Sequence, residues 1–272
     1  MQIDTCSDEV TAARRTNLEL LLSDHVGDCI APCQMADPNN ANIPAIIRCI
    51  AAGDSAAATK LLRGDIANID GAKPQRACRR ARKDQPVAVD LLLKFAAAQA
   101  NGESGGPKDE TKRFSVHIGK LSETELERFM TGISPDQQVT PADPGAGYTP
   151  EEAAAEAKRC MHCDCRKADN CKLRDYAEAY QAKPAHFRSQ RREFVQDLEH
   201  PDVIYEPGKC ICCGLCVRIT EQEGEEFALS FVGRGFGVQV APSLDKNISQ
   251  ALQKAADRCV QTCPTGALAM RK

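Results

Sequence analysis

The sequence predicts an α+β chain that is mostly helical, and three observations carry that expectation. Apolar periodicity behind capping residues recurs through residues 1–200, β-type alternation is confined to Ala228–Val240, and the cysteines gather in short runs. Aromatic residues are 4% of the chain with no Trp, while 42% is hydrophobic and Ala is abundant. Small helix-rich modules are expected, with bound metal doing part of the work of a core. Composition places a helical domain at 1–100, a linker with a short helix at 101–147, a cysteine-rich helical module at 148–200 and a last domain at 201–272.

Ser7 and Asp8 open a helix to about Ser23, with Val10, Ala13, Leu18, Leu21 and Leu22 approximating its apolar face. His25-x3-Cys29-x3-Cys33 follows and ends in Asp37-Pro38. Pro44 suits the first turn of a helix carrying Ile46, Ile47 and Ile50; Gly53-Asp54 ends it and caps the next, which stops at Gly64. Cys78 stands in A-C-R-R ahead of an amphipathic helix from about Pro86 to Ala100. Asn101–Lys112 is a linker, Ser122 and Glu125 form a capping-box pattern before Gly132, and Pro141–Gly147 is a second linker. Thr149-Pro150-Glu151-Glu152 caps a helix to Arg159 that delivers Cys160 at its end. Tyr176–Leu198 reads as a helix-rich connector, His200-Pro201 begins the last domain, Ala228–Val240 has hairpin character and Ser249–Arg258 is helical.

The chemistry is concentrated in K-C-I-C-C-G-L-C from Lys209 and in R-C-V-Q-T-C-P-T-G-A-L from Arg258. Cys210, Cys213 and Cys216 have C-x-x-C-x-x-C spacing, which turns several thiolates inward, and Gly214 lets the backbone pass close to a cluster's sulfides. In two-cluster proteins the cysteine before the proline serves the other cluster, so Cys263 completes this set. Thr220 stands where a further ligand belongs, Cys259 is isolated, and Gln253–Arg258 has no cysteine. One 4Fe-4S cluster is expected here, with Cys212 and Cys259 outside its ligand set. A zinc site on the same thiolates and a disulfide framework are the alternatives.

Cys160, Cys163, Cys165 and Cys171 place four thiols within twelve residues, a second metal centre that is either iron-sulfur or zinc. His162 is expected to face solvent, and Cys6 and Cys49 to be ordinary thiols. Gly233-x-Gly235-x-Gly237 lacks the rest of a nucleotide-loop fingerprint and reads as a turn.

C-G-L-C-V-R, F-V-G-R-G and C-P-T-G-A-L together resemble the ferredoxin-like domain in iron-sulfur subunits of NADH dehydrogenases and iron-only hydrogenases. A-R-R…L-E-L-L-L-S-D-H…D-C is similar to the segment after the 2Fe-2S domain in those proteins. There, His25-x3-Cys29 is similar to part of a His-plus-three-Cys cluster, but the cysteines that follow depart from its spacing. Cys29…Cys33…Pro38…Ile43-Pro44…Gly53-Asp54…Cys78-Arg79-Arg80…Gln85-Pro86 resembles the helical iron-sulfur domain of glutamate synthase small subunits and dihydropyrimidine dehydrogenase. Glu156-Ala157…Arg159-Cys160…Cys163 also resembles a cysteine-bearing helix end of that group. Asp37 replaces one expected cysteine and Gly71–Ala77 lacks others, so the resemblance implies a helical fold that has lost its clusters. The alternative is one residual centre on Cys29, Cys33 and Cys78 with Asp37 or His25.

A net charge of −3 and a pI near 6.0 give no case for nucleic acid, and Arg76–Lys83 and Arg188–Arg192 read as solvated faces. Met1–Arg15 has no signal-type apolar run, Val87–Ala100 is too short to span a bilayer, and fifteen cysteines at metal-ligand intervals fit a reducing cytoplasm. No nucleophile-base pair, nucleotide fingerprint or flavin motif is legible. The expectation is a cytoplasmic electron-transfer subunit between an NAD(P)H- or ferredoxin-linked flavoprotein and a catalytic oxidoreductase subunit, with Lys209 and Arg218 stabilising the reduced cluster. A zinc- or cluster-stabilised assembly scaffold without electron flux is the alternative.

Overall fold

The computed structural model describes residues 4–65, 68–100, 105–107, 113–187 and 191–271. Most of the Asn101–Lys112 linker, and Arg188–Gln190 of the second basic run, lie outside the described residues. Helix makes up 43% and strand 7%, which bears out a mixed, mostly helical class. In chain order the helices begin with α1 (Asp8–Ser23), α2 (Pro32–Ala36), α3 (Ile43–Ala51), α4 (Ser55–Lys60), α5 (Ala72–Arg76) and α6 (Val89–Ala98). α7 (Glu123–Met130), α8 (Pro150–Ala157) and α9 (Lys172–Ala179) follow, then β1 (Val203–Tyr205), α10 (Leu215–Gln222), β2 (Leu229–Val232) and β3 (Gln239–Pro242). α11 (Ile248–Ala251), α12 (Ala256–Thr262) and β4 (Leu268–Met270) end the chain.

The compact units are not contiguous segments. The first is Met1–Cys29, Arg113–Leu121 and Cys165–Lys272; the second is Ile30–Lys112 and Ser122–Asp164. Pro141–Gly147, a linker by composition, lies within the second unit, whereas the passage from the first unit to the second at Cys29 to Ile30 has no compositional mark.

In the second unit α3 forms as expected. Asn42 Oδ1 accepts the Ala45 N–H at 3.1 Å, Pro44 sits in the first turn, and Ile43, Ile46, Ile47 and Ile50 at i, i+3, i+4 and i+7 are all buried. Gly53 turns the chain at φ +75°, and Asp54 caps α4 through the Ala57 N–H at 2.9 Å. These isoleucines pack with Leu92 and Leu93 of α6 and Ala153 and Ala157 of α8. Both capping boxes are present, Ser122 with Glu125 on α7 and Thr149 with Glu152 on α8.

Two guanidinium groups are fully buried in this unit. Arg80 bonds both carboxylate oxygens of Asp84 at 2.7 Å and the carbonyls of Ser134 (2.9 Å) and Arg159 (2.7 Å). Arg159 bonds Glu156 at 2.8 Å and the carbonyls of Gln85, Pro86 and Asp136 at 2.8–3.1 Å. Glu156, also fully buried, accepts the N–H groups of Ala88 (2.7 Å) and Val139 (2.8 Å). Charges and backbone groups here satisfy one another, the condition under which burying them is tolerable.

In the first unit α1 spans the predicted residues, but Leu21 is exposed and Glu19 is buried in its place. The Glu19 carboxylate accepts the Lys183 N–H at 2.9 Å and meets His186 Nδ1 at 2.5 Å, so the buried face is Leu18, Glu19 and Leu22. Among the described residues of the connector expected to be helix-rich over Tyr176–Leu198, helix ends at Ala179, where Gln181 adopts φ +52° and the Ala182 N–H turns back to the Ala177 carbonyl at 2.8 Å. β2 and β3 form the expected hairpin, with Leu229 opposite Pro242 and Val232 opposite Gln239. β1 pairs antiparallel with β4, Val203 opposite Met270. The helix expected over Ser249–Arg258 is two short ones, α11 and α12, separated where Leu252 leaves helical geometry at φ −129°. No helix among the described residues is long and apolar enough to cross a membrane.

Replacing Arg159 by Met would leave Glu156 buried without its cation, and loss of one partner of such a pair costs about 3–5 kcal/mol. Chemical denaturation of Arg159→Met should show that loss, whereas Lys94→Met, on a solvent-exposed i,i+4 pair with Asp90, should change stability by less than about 1 kcal/mol.

Candidate metal centres

Of the four cysteines expected to share one centre at 160–171, two fall in each unit. Cys160 and Cys163 belong to the second unit and Cys165 and Cys171 to the first, each pair gathered with cysteines remote in sequence.

In the second unit Cys33, Cys78, Cys160 and Cys163 come together. Cys33 lies on α2 behind Pro32, which starts that helix. Cys78 is fixed by its N–H to the Gln75 carbonyl (3.1 Å) and by Arg80 two residues on. Cys160 closes the last turn of α8 through the Ala157 carbonyl (3.1 Å), directly after Arg159. Burial pushes the Cys33 thiol well up from its ordinary pKa, and the charges of Cys160, Cys163, Cys78 and Asp164 push it further. Cys160 is raised for the same reasons, burial first, while the His162 N–H donated to its sulfur at 3.4 Å opposes the shift. Arg48 holds Asp164 beside the group with bonds of 3.0 and 2.9 Å to its two oxygens. Of the residual set considered from sequence, Cys29 falls in the first unit and Cys33 and Cys78 in the second. Asp37 accepts the Ala41 N–H at 2.7 Å, a turn-forming role.

In the first unit Cys29, Cys165 and Cys171 form a second group. The Cys165 N–H bonds the Cys29 carbonyl at 3.3 Å, and Val116 donates its N–H to the Cys29 sulfur at 3.4 Å. Burial raises Cys171; the N–H groups of Arg174 and Leu173 at the start of α9 oppose this, and Cys165 and Cys29 add to it. Burial likewise raises Cys29, with Arg174 and Lys209 supplying opposing positive charge. His25 lies one turn before Cys29, and burial followed by the Lys209 charge lowers its imidazole to about 4, leaving it neutral, the form that binds metal.

The third group is Cys210, Cys216 and Cys263, near the ring of Tyr205. Gly214 at φ +75° caps α10 and turns the run inward; a side chain there would press on Phe231 at 3.2 Å. Burial, then neighbouring thiols, raise Cys210 to about 12 and Cys216 to about 12. Cys213 is exposed and adds to the charge felt by Cys216, while Cys212, at φ +52°, adds to that felt by Cys210 and donates its N–H to the Cys210 sulfur at 3.4 Å. Cys212 also lines a cleft of about 440 Å³ with His25 and Arg192. Thr220 is fully buried, bonding the Cys216 and Val217 carbonyls at 3.1 and 2.9 Å and accepting the Leu229 N–H. Cys259 is buried among Ile248, Leu252 and Ala255, with burial and then Glu225 raising it to about 12.

The second and third groups are joined within the first unit. Lys167 Nζ donates to the Val260 and Cys263 carbonyls, both at 2.7 Å, and the Lys172 N–H bonds the Pro264 carbonyl at 2.8 Å. A Cβ at Gly266 would overlap the Cys165 sulfur, so the C-P-T-G loop can lie against that thiol only with glycine there. Among the described residues, no three His, Cys, Asp or Glu side chains already stand close enough to hold a single metal ion.

No protein-family model matches the chain. Stretches of it are similar to three curated proteins: 29% identical over 104 residues to an NADP-reducing hydrogenase subunit of Solidesulfovibrio fructosivorans, 32% over 111 residues to an NADH-quinone oxidoreductase subunit of Rhizobium meliloti (strain 1021), and 28% over 109 residues to the mitochondrial NADH dehydrogenase [ubiquinone] iron-sulfur protein 1 of Solanum tuberosum. These matches cover 38%, 40% and 40% of this chain and 18%, 12% and 14% of those proteins, so the chain spans a small part of each relative. Among solved structures, a chain of an NAD+-reducing [NiFe]-hydrogenase in the H2-reduced state is 36% identical with a TM-score of 0.34, covering 39% of this chain and 46% of that one.

Raised thiol pKa values make the metal-free chain sensitive to alkali. A thiol held near 12 when folded keeps its proton after the unfolded chain, at about 8.5, has lost it. That stabilisation is complete below about pH 8.5 and drains away as pH rises towards 12. The denaturant midpoint of metal-free chain should therefore fall between neutral pH and about pH 10, and Cys210→Ser should weaken the fall. Gly266→Ala should displace Cys165 and impair metal uptake by the Cys29, Cys165 and Cys171 group, read from metal content against Gly237→Ala, where no atom lies within 4 Å.

These relatives bear out the resemblance to iron-sulfur subunits of NADH dehydrogenases and hydrogenases that the cysteine runs carry.

Proposed function

We propose that the chain is an iron-sulfur electron-transfer module of an oxidoreductase complex, relaying electrons between a flavoprotein partner and a catalytic subunit. The observation that supports this reading is three groups of buried and half-buried thiols, each drawn from distant segments of the chain. The relatives add support, being named as subunits of hydrogenase and NADH dehydrogenase.

The residues fit such groups. In this reading Cys33, Cys78, Cys160 and Cys163 hold one cluster; Cys29, Cys165 and Cys171 hold a second with His25 as fourth ligand; and Cys210, Cys213, Cys216 and Cys263 hold one 4Fe-4S cluster. Bound there, iron-sulfur clusters supply one-electron oxidation and reduction. The chain's own part is to bury the thiolates, donate backbone N–H bonds to sulfur and set the surrounding charge. Each group has such an N–H, from His162, Val116 and Cys212, all at 3.4 Å. Lys209, buried and paired with Glu206, and Arg218 on α10 favour the added negative charge of reduction near the third group.

Anaerobically purified chain should be brown and contain about twelve irons, four for each of three cubanes, with matching sulfide. Cys33→Ala and Cys171→Ala should remove different low-temperature EPR signals. Cys216→Ala should remove a third, whereas Cys212→Ser and Cys259→Ser should retain it. Colourless protein containing zinc and no sulfide would replace electron transfer with a structural scaffold.

A further inference from the structure

Six of the eleven residues from Lys73 to Lys83 are Lys or Arg and none is acidic. The fold turns this run around Cys78. Gly71, whose N–H bonds Asp90 at 2.9 Å, lets the start of α5 touch the backbone of α6, where any Cβ would collide with it. Gln75 also bonds the Asp90 N–H at 3.2 Å. On the other side of Cys78, Arg80 alone turns inward into its buried network. Lys73, Arg76, Arg82 and Lys83 are exposed, Arg79 lies half-buried over the Phe129 ring, and Cys78 itself is half-buried. Lys83 shares its charge with Glu127 and Glu123, and Asp84 is committed to Arg80; the exposed cations of Lys73 and Arg76 stand beside a half-buried candidate ligand.

A basic patch held rigidly beside a half-buried ligand is suited to capturing an anionic partner and bringing its redox group close. We propose that this face docks an acidic, ferredoxin-class protein carrier, which gives up one electron to the centre on Cys33, Cys78, Cys160 and Cys163 across the Cys78 edge. The carrier is oxidised and the centre reduced by that electron. The inference rests on the reading of these four cysteines as a cluster site. Opposed surface charge raises encounter rates about 10- to 1,000-fold and makes them fall with salt.

The test uses the full chain with its clusters and a dithionite-reduced, dithionite-free plant-type [2Fe-2S] ferredoxin as the acidic probe, in stopped flow. Reduction of the chain should slow with added salt. Lys73→Glu with Arg76→Glu should slow it at least about tenfold at low salt and abolish the salt dependence, while iron content, the EPR signal lost in Cys33→Ala, and reduction by methyl viologen radical stay unchanged. Lys60→Glu, on the exposed side of α4, should leave the rate alone. Unchanged ferredoxin kinetics in the double variant, with the EPR signal intact, would overturn the docking face and spare the cluster reading. Absence of any EPR signal dependent on Cys33 would remove both. Salt-sensitive binding of single-stranded RNA that the double variant loses, with ferredoxin kinetics unaltered, would assign the cations to nucleic acid and overturn the proposal.

Discussion

Thiols taken out of water close to one another constrain the rest of this chain. A protonated thiol buries as a small apolar group, but as a thiolate it must be compensated by cations, hydrogen bonds or metal. Burial, then other thiols and Asp164, raise Cys33 and Cys160, opposed at Cys160 by the His162 N–H, so in the metal-free chain their protonated forms are favoured. Cys29 differs in having Arg174 and Lys209 nearby. Metal binding must expel the protons in either case, so metal uptake releases protons and strengthens as pH rises.

In the second unit that packing is polar at its centre. Arg80 follows Cys78 by two residues and Arg159 immediately precedes Cys160, and the Arg80 guanidinium bonds the Arg159 carbonyl. Two segments some eighty residues apart are thereby set in register by a few bonds, with Glu156 tying in the segments at Ala88 and Val139. An apolar core gives no such register, since hydrophobic contacts are non-directional. The isoleucine face of α3 supplies cohesion, and the guanidinium groups supply position.

Local elements were legible because their causes are local. Asn42, Asp54, Ser122 and Thr149 cap the helices they precede, and Ala228–Val240 alternates because one face of the hairpin is buried. Glu19 escaped notice because a carboxylate counts as solvent-facing until Lys183 and His186, more than 160 residues away, are placed against it. The neighbours of each thiol were hidden for the same reason. Cys29-x3-Cys33 looks like one motif, yet the Cys29 N–H bonds the Val116 carbonyl while Cys33 lies on α2 in the other unit. Cys163 and Cys165, separated by Asp164 alone, divide in the same way. Spacing reports which thiols the backbone can wrap together, not which ones the fold returns to them.

Within the first unit, two thiol groups share one scaffold. Lys209 precedes Cys210, and its carbonyl accepts the Thr265 hydroxyl at 2.8 Å, two residues past Cys263. Its side chain runs by Gly27 and Gly266 to pair with Glu206, and its charge reaches Cys29 and His25. Main chain and side chain of one residue thus serve different groups. Because Lys209 is almost fully buried, water screens its charge weakly, and Glu206 fixes where that charge sits. A shift of the C-P-T-G loop would move the Cys263 ligand, the Gly266 contact with Cys165 and the Thr265 anchor of Lys209 together. The two groups are therefore mechanically coupled, and a substitution chosen to disturb one must be read for its effect on the other.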